Sequence, residues 1–149
     1  MLQNGNADSK RSLGARVSRI SPIENWEFRR LFVTPGSGWQ EVVARLRREI
    51  EDGLGSEHLV ELASRVSRLC VGDKLYASTC MFNLVVSDTW DFRSGNGLLH
   101  IGYNSSEHLF WLHHIGLDHQ QEYRACPKVD VMVTFLSLVQ KKFMIGVDG

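Results

Sequence analysis

The sequence predicts an α+β domain: an N-terminal helical hairpin, a mainly antiparallel sheet of three to five strands, and a C-terminal helix packed on the sheet. Apolar residues recur at helical spacing in the first half of the chain, alternate with period two in the middle, and return to helical spacing near the end. The 149 residues are enough for one domain with its own core. We assign residues 23–149 to that domain.

Residues 1–22 hold few large apolar groups and end at a Ser-Pro pair, so we interpret them as a mobile leader. They lack the apolar core of a secretory signal. Their content of arginine and serine leaves an organelle targeting segment as an alternative. After this leader, Trp26, Phe28, Arg30 and Phe32 alternate, which suggests a short strand over 26–33, although one helical turn fits as well.

Composition limits the functional classes. Lys plus Arg and Asp plus Glu are equal at 17 each, so no general affinity for nucleic acid or an anionic membrane is predicted. No apolar run approaches the roughly 20 residues of a membrane-spanning helix. The three cysteines are an odd number without CxxC spacing, which argues against a disulfide framework and a zinc knuckle. A reducing, cytoplasmic location is expected.

Two helices open the domain. Ser37 and Gln40 have the spacing of a capping box, and the apolar residues that follow predict a helix over 38–52. Gly53 and Gly55 end it, Ser56 caps a second amphipathic helix, and Gly72 ends that helix. Beyond it, period-two alternation predicts one long strand over 76–86, with Tyr76, Leu84 and Val86 on one side and Ala77 on the other. A loop over 88–97 follows, and Trp90 and Phe92 pin it to the core.

The segment from Leu98 to His114 predicts a β-hairpin with its turn at 104–107. In this register Leu99 lies opposite Leu112 and Ile101 opposite Phe110, and this apolar side packs on the helices. The other side carries Gly102 and five residues that we name the Trp111 face: Leu98, His100, Leu109, Trp111 and His113. There His100 lies opposite Trp111.

The end of the chain predicts a cover for the sheet. Residues 121–125 suggest a further edge strand, and Pro127 suits the first turn of a helix. The apolar stripe of that helix comprises Met132, Phe135, Leu136, Val139 and Phe143. Gly146 is expected to stop it.

The Trp111 face is the candidate binding site. Its apolar and aromatic residues flanked by imidazoles have the composition enriched at protein interfaces. The alternative is that the 26–33 segment or the N-terminal arm covers this face within the monomer. We expect a non-enzymatic binding domain whose partner is another protein or a second copy of the chain.

A small metal-dependent enzyme is the second hypothesis, with His100, His113 and His119 holding a metal that activates water, and Asp118 as another available ligand. His114 points to the opposite side of the strand. No HExxH spacing supports this hypothesis. Neither Cys80 nor Cys126 has the context of a nucleophile, and no glycine-rich phosphate loop is present, so no cofactor is predicted.

Overall fold

The computed structural model describes residues 38–92 and 95–147. Two helices precede a five-stranded sheet, and a third helix follows it. The elements are α1 (Gly38–Glu51), α2 (Glu57–Ser67), β1 (Tyr76–Cys80), β2 (Asn83–Ser87), β3 (Leu98–Asn104), β4 (Leu109–Ile115), β5 (Gln121–Cys126) and α3 (Val131–Leu138). The strands follow chain order and every neighbouring pair is antiparallel. The α+β prediction is confirmed; the leader, the 26–33 segment and the Ser37 cap lie outside the described residues.

The helical hairpin forms as predicted because both helices have one apolar side. One core cluster joins all three helices to the sheet, so they share one side of it, which we call the helix-covered face. The Trp39 Nε1–H donates to the Leu75 carbonyl at 3.1 Å, which ties the start of α1 to the residue before β1. Ser56 caps α2 by accepting from the His58 N–H at 3.1 Å.

Helix α2 ends at Ser67, before Gly72, which corrects the predicted end. Leu69 is extended, and residues 70–74 form a 3-10 turn. A Cβ on Gly72 would lie 2.5 Å from the Val66 carbonyl oxygen, so glycine allows the chain to fold back against the helix end.

The single long strand predicted over 76–86 is wrong. The chain forms a hairpin instead, in which Cys80 pairs with Asn83 around the two-residue turn Met81-Phe82. Both turn residues have positive φ, at 49° and 72°, which matches the twist that a two-residue hairpin requires. Because the turn reverses the chain, Leu84 and Val86 share a face with Ala77 and not with Tyr76.

The β3–β4 hairpin is present, but its predicted register is shifted by two residues. Ile101 lies opposite Leu112, and Asn104 opposite Leu109, so the four-residue loop comprises residues 105–108 instead of 104–107. The Asn104 Oδ1 accepts from the N–H groups of Ser106 and Glu107 at 2.9 and 3.2 Å and stabilises that loop. A shift of two leaves every side chain on its predicted face.

The loop before β3 is pinned by one of its two aromatic residues. Phe92 is fully buried as predicted, whereas Trp90 is exposed, which corrects the sequence interpretation. The loop is closed by Asp88, whose carboxylate accepts from the backbone and side-chain N–H groups of Asn96 at 3.0 and 2.8 Å.

The C-terminal helix covers β4 and β5. A 3-10 turn over 128–130 leads into α3, and a π-helical turn over 139–143 follows it. Phe135, Val139 and Phe143 are buried as predicted, while Met132 and Leu136 pack at the edge of the core. The helical segment ends at Met144, whose φ is 56°, two residues before the predicted stop at Gly146.

The Met81-Phe82 turn generates a stability prediction. Bulky residues at positive φ cost roughly 1 kcal/mol or more each, and Met81 is 72% exposed, so its side chain recovers little by packing. Replacing the pair by Asn-Gly, the preferred sequence for this turn, should raise the free energy of unfolding by about 1 kcal/mol. Urea denaturation measures the change. A less stable variant would show instead that the two side chains stabilise the fold.

Candidate functional site

The Trp111 face lies on the side of the sheet opposite the helices, and the register places its five residues on that side, with Leu98 and Leu109 at opposite ends of the hairpin. His100 is directly opposite His113, and Trp111 is directly opposite Gly102. The predicted pairing of His100 with Trp111 is therefore wrong by two residues, although both remain on the predicted face. Their rings are diagonal neighbours, with centroids 6.1 Å apart and an interplanar angle of 51°.

Gly102 provides the space in which the Trp111 indole lies. A Cβ built on Gly102 would be 2.1 Å from Cζ2 of Trp111 and 2.3 Å from its Cε2. The ring thus lies across the strand, directly against the glycine backbone. This arrangement fixes the position of a large aromatic group that remains partly exposed.

Strand β5 extends the Trp111 face with residues that sequence reasoning missed. Tyr123 lies opposite His113, with ring centroids 6.0 Å apart and nearly perpendicular planes. It is 62% exposed. The His113 Nε2–H donates to the Gln121 side-chain oxygen at 2.7 Å. The alternation of Gln121, Tyr123 and Ala125 was the available signal, but the sequence did not fix the pairing of β5 with β4.

One part of this side of the sheet is closed. Leu98 has no exposed surface and packs with Cys80, Val85 and Phe92 in a second core cluster. It therefore supports the Trp111 face from inside and offers no surface to a partner. The accessible part comprises partly or well exposed residues of β3, β4 and β5: His100, Leu109, Trp111, His113 and Tyr123.

This accessible part has little charge at neutral pH. Burial lowers the pKa of the His113 imidazole, and the hydrogen bond to Gln121 offsets only part of that effect. Burial, together with the nearby Glu107 carboxylate, raises the pKa of the Tyr123 hydroxyl. Both groups are therefore neutral at pH 7, which reduces the cost of covering them with a partner.

His114 points to the helix-covered face, as predicted. Its Nε2–H donates to the Asn96 carbonyl at 2.7 Å, and its ring meets the edge of Phe143 with centroids 5.6 Å apart. The imidazole is 5% exposed and its Nδ1 has no hydrogen-bond partner. Burial lowers the pKa of His114 more than the bond to Asn96 raises it.

The histidines do not assemble into a metal centre within the described part of the chain. There, no group of three or more His, Cys, Asp or Glu side chains is placed to share an ion. His119 and Asp118 lie in the exposed β4–β5 loop, where the Asp118 carboxylate accepts from the Gln120 N–H at 3.1 Å. Cys80 and Cys126 are buried thiols and Cys70 is an exposed one. The metal-enzyme hypothesis therefore has no support from the geometry of these residues.

Two surface cavities lie away from the Trp111 face. A groove of about 610 Å³ along α1 and α2 is lined mainly by charged residues, among them Arg47, Glu61 and Lys128. A cleft of about 410 Å³ lies between the start of α2 and the turns of the two hairpins, and Phe82 and Tyr103 line it. Neither cavity brings together a catalytic set of residues.

Comparisons with known proteins add no family: no family model, no curated protein and no solved structure matches this chain. Within residues 38–92 and 95–147, no helix has the length and apolar character needed to cross a bilayer.

Substitution of Gly102 by alanine tests the packing of Trp111. The added methyl group occupies the position of the indole, so the ring must move, with a loss of about 1 to 3 kcal/mol in the free energy of unfolding. The Trp111 indole N–H resonance, assigned with Trp111→Phe, should shift. Gly146→Ala is the matched control, because nothing lies within 4 Å of its added Cβ. An unmoved indole resonance in Gly102→Ala would contradict the observed packing.

Substitution of His114 by glutamine tests the buried imidazole through pH. Because the folded-state pKa of His114 is lowered, its contribution to stability is complete above the unfolded value of about 6.5 and is lost as pH falls through the folded value. The fall in unfolding free energy between pH 7.5 and 5 should be smaller in His114→Gln, by at most about 1.4 kcal/mol per pH unit. Urea titrations at both pH values measure it, with exposed His119→Gln as control. Equal slopes for wild type and His114→Gln would contradict the assignment.

Proposed function

We propose that this chain is a binding domain that contacts a partner protein through the accessible part of the Trp111 face. The observation that carries the proposal is that one face of the sheet presents two large aromatic rings on neighbouring strands: the partly exposed Trp111 indole, held over Gly102, and the exposed Tyr123 ring. Large aromatic groups with fixed positions contribute much of the binding energy at protein interfaces.

The surroundings of the two rings support this proposal. His113 lies on the same strand as Trp111 and opposite Tyr123, and it is neutral at pH 7, so a partner can cover all three without removing a full charge from water. The helices contact the opposite face of the sheet, which leaves these rings without a described helix over them. Little on this surface suggests chemistry, whereas its rigidity and low charge favour association.

The proposed partner is another protein or a second copy of this chain. The balanced net charge gives no support to nucleic acid or membrane as the partner. We propose a cytoplasmic location, supported by the three cysteines, which form no disulfide within the described residues. Neither a cofactor nor a catalytic step is part of the proposal.

Loss of the indole should weaken association. Purified protein is compared with Trp111→Ser and Tyr123→Ser by sedimentation velocity over a hundredfold concentration range, alone and mixed with cell extract fractions. We expect the wild-type protein to form a complex, and we expect Trp111→Ser to lower its affinity at least about tenfold. Truncating a central aromatic residue costs about 1 to 2 kcal/mol or more of binding free energy.

The matched control is Val133→Ser, which removes a 72% exposed apolar side chain from α3 in the other layer. It should leave the complex intact, and circular dichroism should show that all variants fold. A complex that survives Trp111→Ser and Tyr123→Ser, or that is lost equally in Val133→Ser, would refute this assignment of the surface.

A further inference from the structure

Strand β5 is a sheet edge with two chemically different rows of side chains. In the described part of the chain, β5 pairs only with β4, so the backbone groups on its outer edge have no strand partner there. Gln121, Tyr123 and Ala125 project to the Trp111 face. Glu122 and Arg124 project to the helix-covered face. An extended segment added to this edge would contact both rows, because its own side chains alternate in the same way.

The row on the helix-covered face belongs to a cluster with an excess of positive charge, because two lysines from the end of the C-terminal helical segment join it. The Glu122 carboxylate accepts from the Nζ groups of Lys141 and Lys142, each at 3.0 Å, and from the Arg124 guanidinium, with Nε at 2.9 Å. These cations lower the pKa of Glu122 to about 2, so it is ionised at neutral pH. Three positive charges therefore surround one negative charge, and the cluster has a net charge of +2.

This charge discriminates between the possible occupants of the edge. A second copy would bring an identical positive cluster to the same place, and like charges across an interface cost several kcal/mol. The N-terminal 37 residues are also a poor match, because they hold six basic residues against three acidic ones. An acidic segment of another protein is the complementary choice.

From these observations we infer that β5 accepts an extended acidic segment of the partner protein, which pairs with the strand edge and alternates acidic with apolar residues. The acidic residues lie beside Arg124, Lys141 and Lys142, and the apolar residues lie beside Tyr123 and Trp111. This inference rests on the proposed function, because the same partner covers the Trp111 face. It adds the chemical class of the segment and the strand that recognises it.

A capped seven-residue peptide that alternates glutamate with valine and phenylalanine is the probe. Peptide binding should shift the backbone amide resonances of residues 121–126 and protect these amides from hydrogen exchange. Both effects are followed by NMR up to 1 mM peptide. The same peptide with lysine in place of glutamate should bind at least about tenfold more weakly. Added salt should lower the affinity of the acidic peptide, because both changes reduce the charge attraction. N-methylation of alternate peptide amides should abolish binding by removing the backbone hydrogen bonds.

A charge reversal on the protein provides the second arm. Lys141 is well exposed, so Lys141→Glu should leave the fold intact and lower the affinity for the acidic peptide several-fold. The matched control is Lys74→Glu, which changes an exposed lysine at the opposite edge of the sheet and should leave this affinity unchanged. Equal binding of both peptides, binding without protection of β5, or no binding at 1 mM would overturn the inference.

The two proposals fail separately. If Trp111→Ser abolishes a protein complex while β5 remains unprotected in that complex, the strand-pairing inference is wrong and the proposed surface stands. If the acidic peptide protects β5 but complexes do not depend on Trp111 or Tyr123, the proposed surface is wrong.

Discussion

The structure depends on the burial of one row of side chains on β3 and β4 beneath the helices. Leu99, Ile101, Phe110 and Leu112 are each at most 1% exposed and belong to the cluster that joins the sheet to all three helices. Removing one such side chain commonly costs about 2 to 5 kcal/mol, a large part of the stability of a domain. Since strand side chains alternate, burying this row places the other row, with Trp111, on the opposite face. The candidate site is therefore a geometric consequence of the core.

The link between the buried row of side chains and the opposite face explains how much of the fold could be predicted from the sequence. A register shift of two residues in the β3–β4 hairpin changed every pairing but no face, because two is the period of the strand. The Met81-Phe82 turn had the opposite effect. Phe82 favours strands, and the two turn residues include neither glycine nor asparagine, so neither of them marked the reversal. A single strand predicted to continue through this turn placed Leu84 and Val86 on the wrong side of the sheet.

The site was predictable where it depended on one hairpin and not where it depended on a loop. His100, Trp111 and His113 follow from the alternation of β3 and β4. Tyr123 joins them only because the loop over 116–120 closes with a hydrogen bond from the Gly116 N–H to the Gln120 carbonyl at 2.8 Å, and His119 adopts a φ of 68°. A non-glycine residue at positive φ is not readable from the sequence. The burial of Leu98 depends likewise on the position of Phe92 in another loop.

The separation of charge across β5 has a consequence for specificity. Apolar and aromatic contacts provide binding energy but discriminate weakly, whereas charged groups select partners and orient them. On β5 the two kinds of group alternate along one backbone, so Tyr123 and Arg124 are held in fixed relation to each other. The ionised Glu122 lowers the mutual repulsion of three cations without cancelling their excess. That excess repels a second positive edge, and so it opposes pairing between the β5 strands of identical copies, one hazard of an exposed edge strand. In the proposed interaction, the same charge selects an acidic strand.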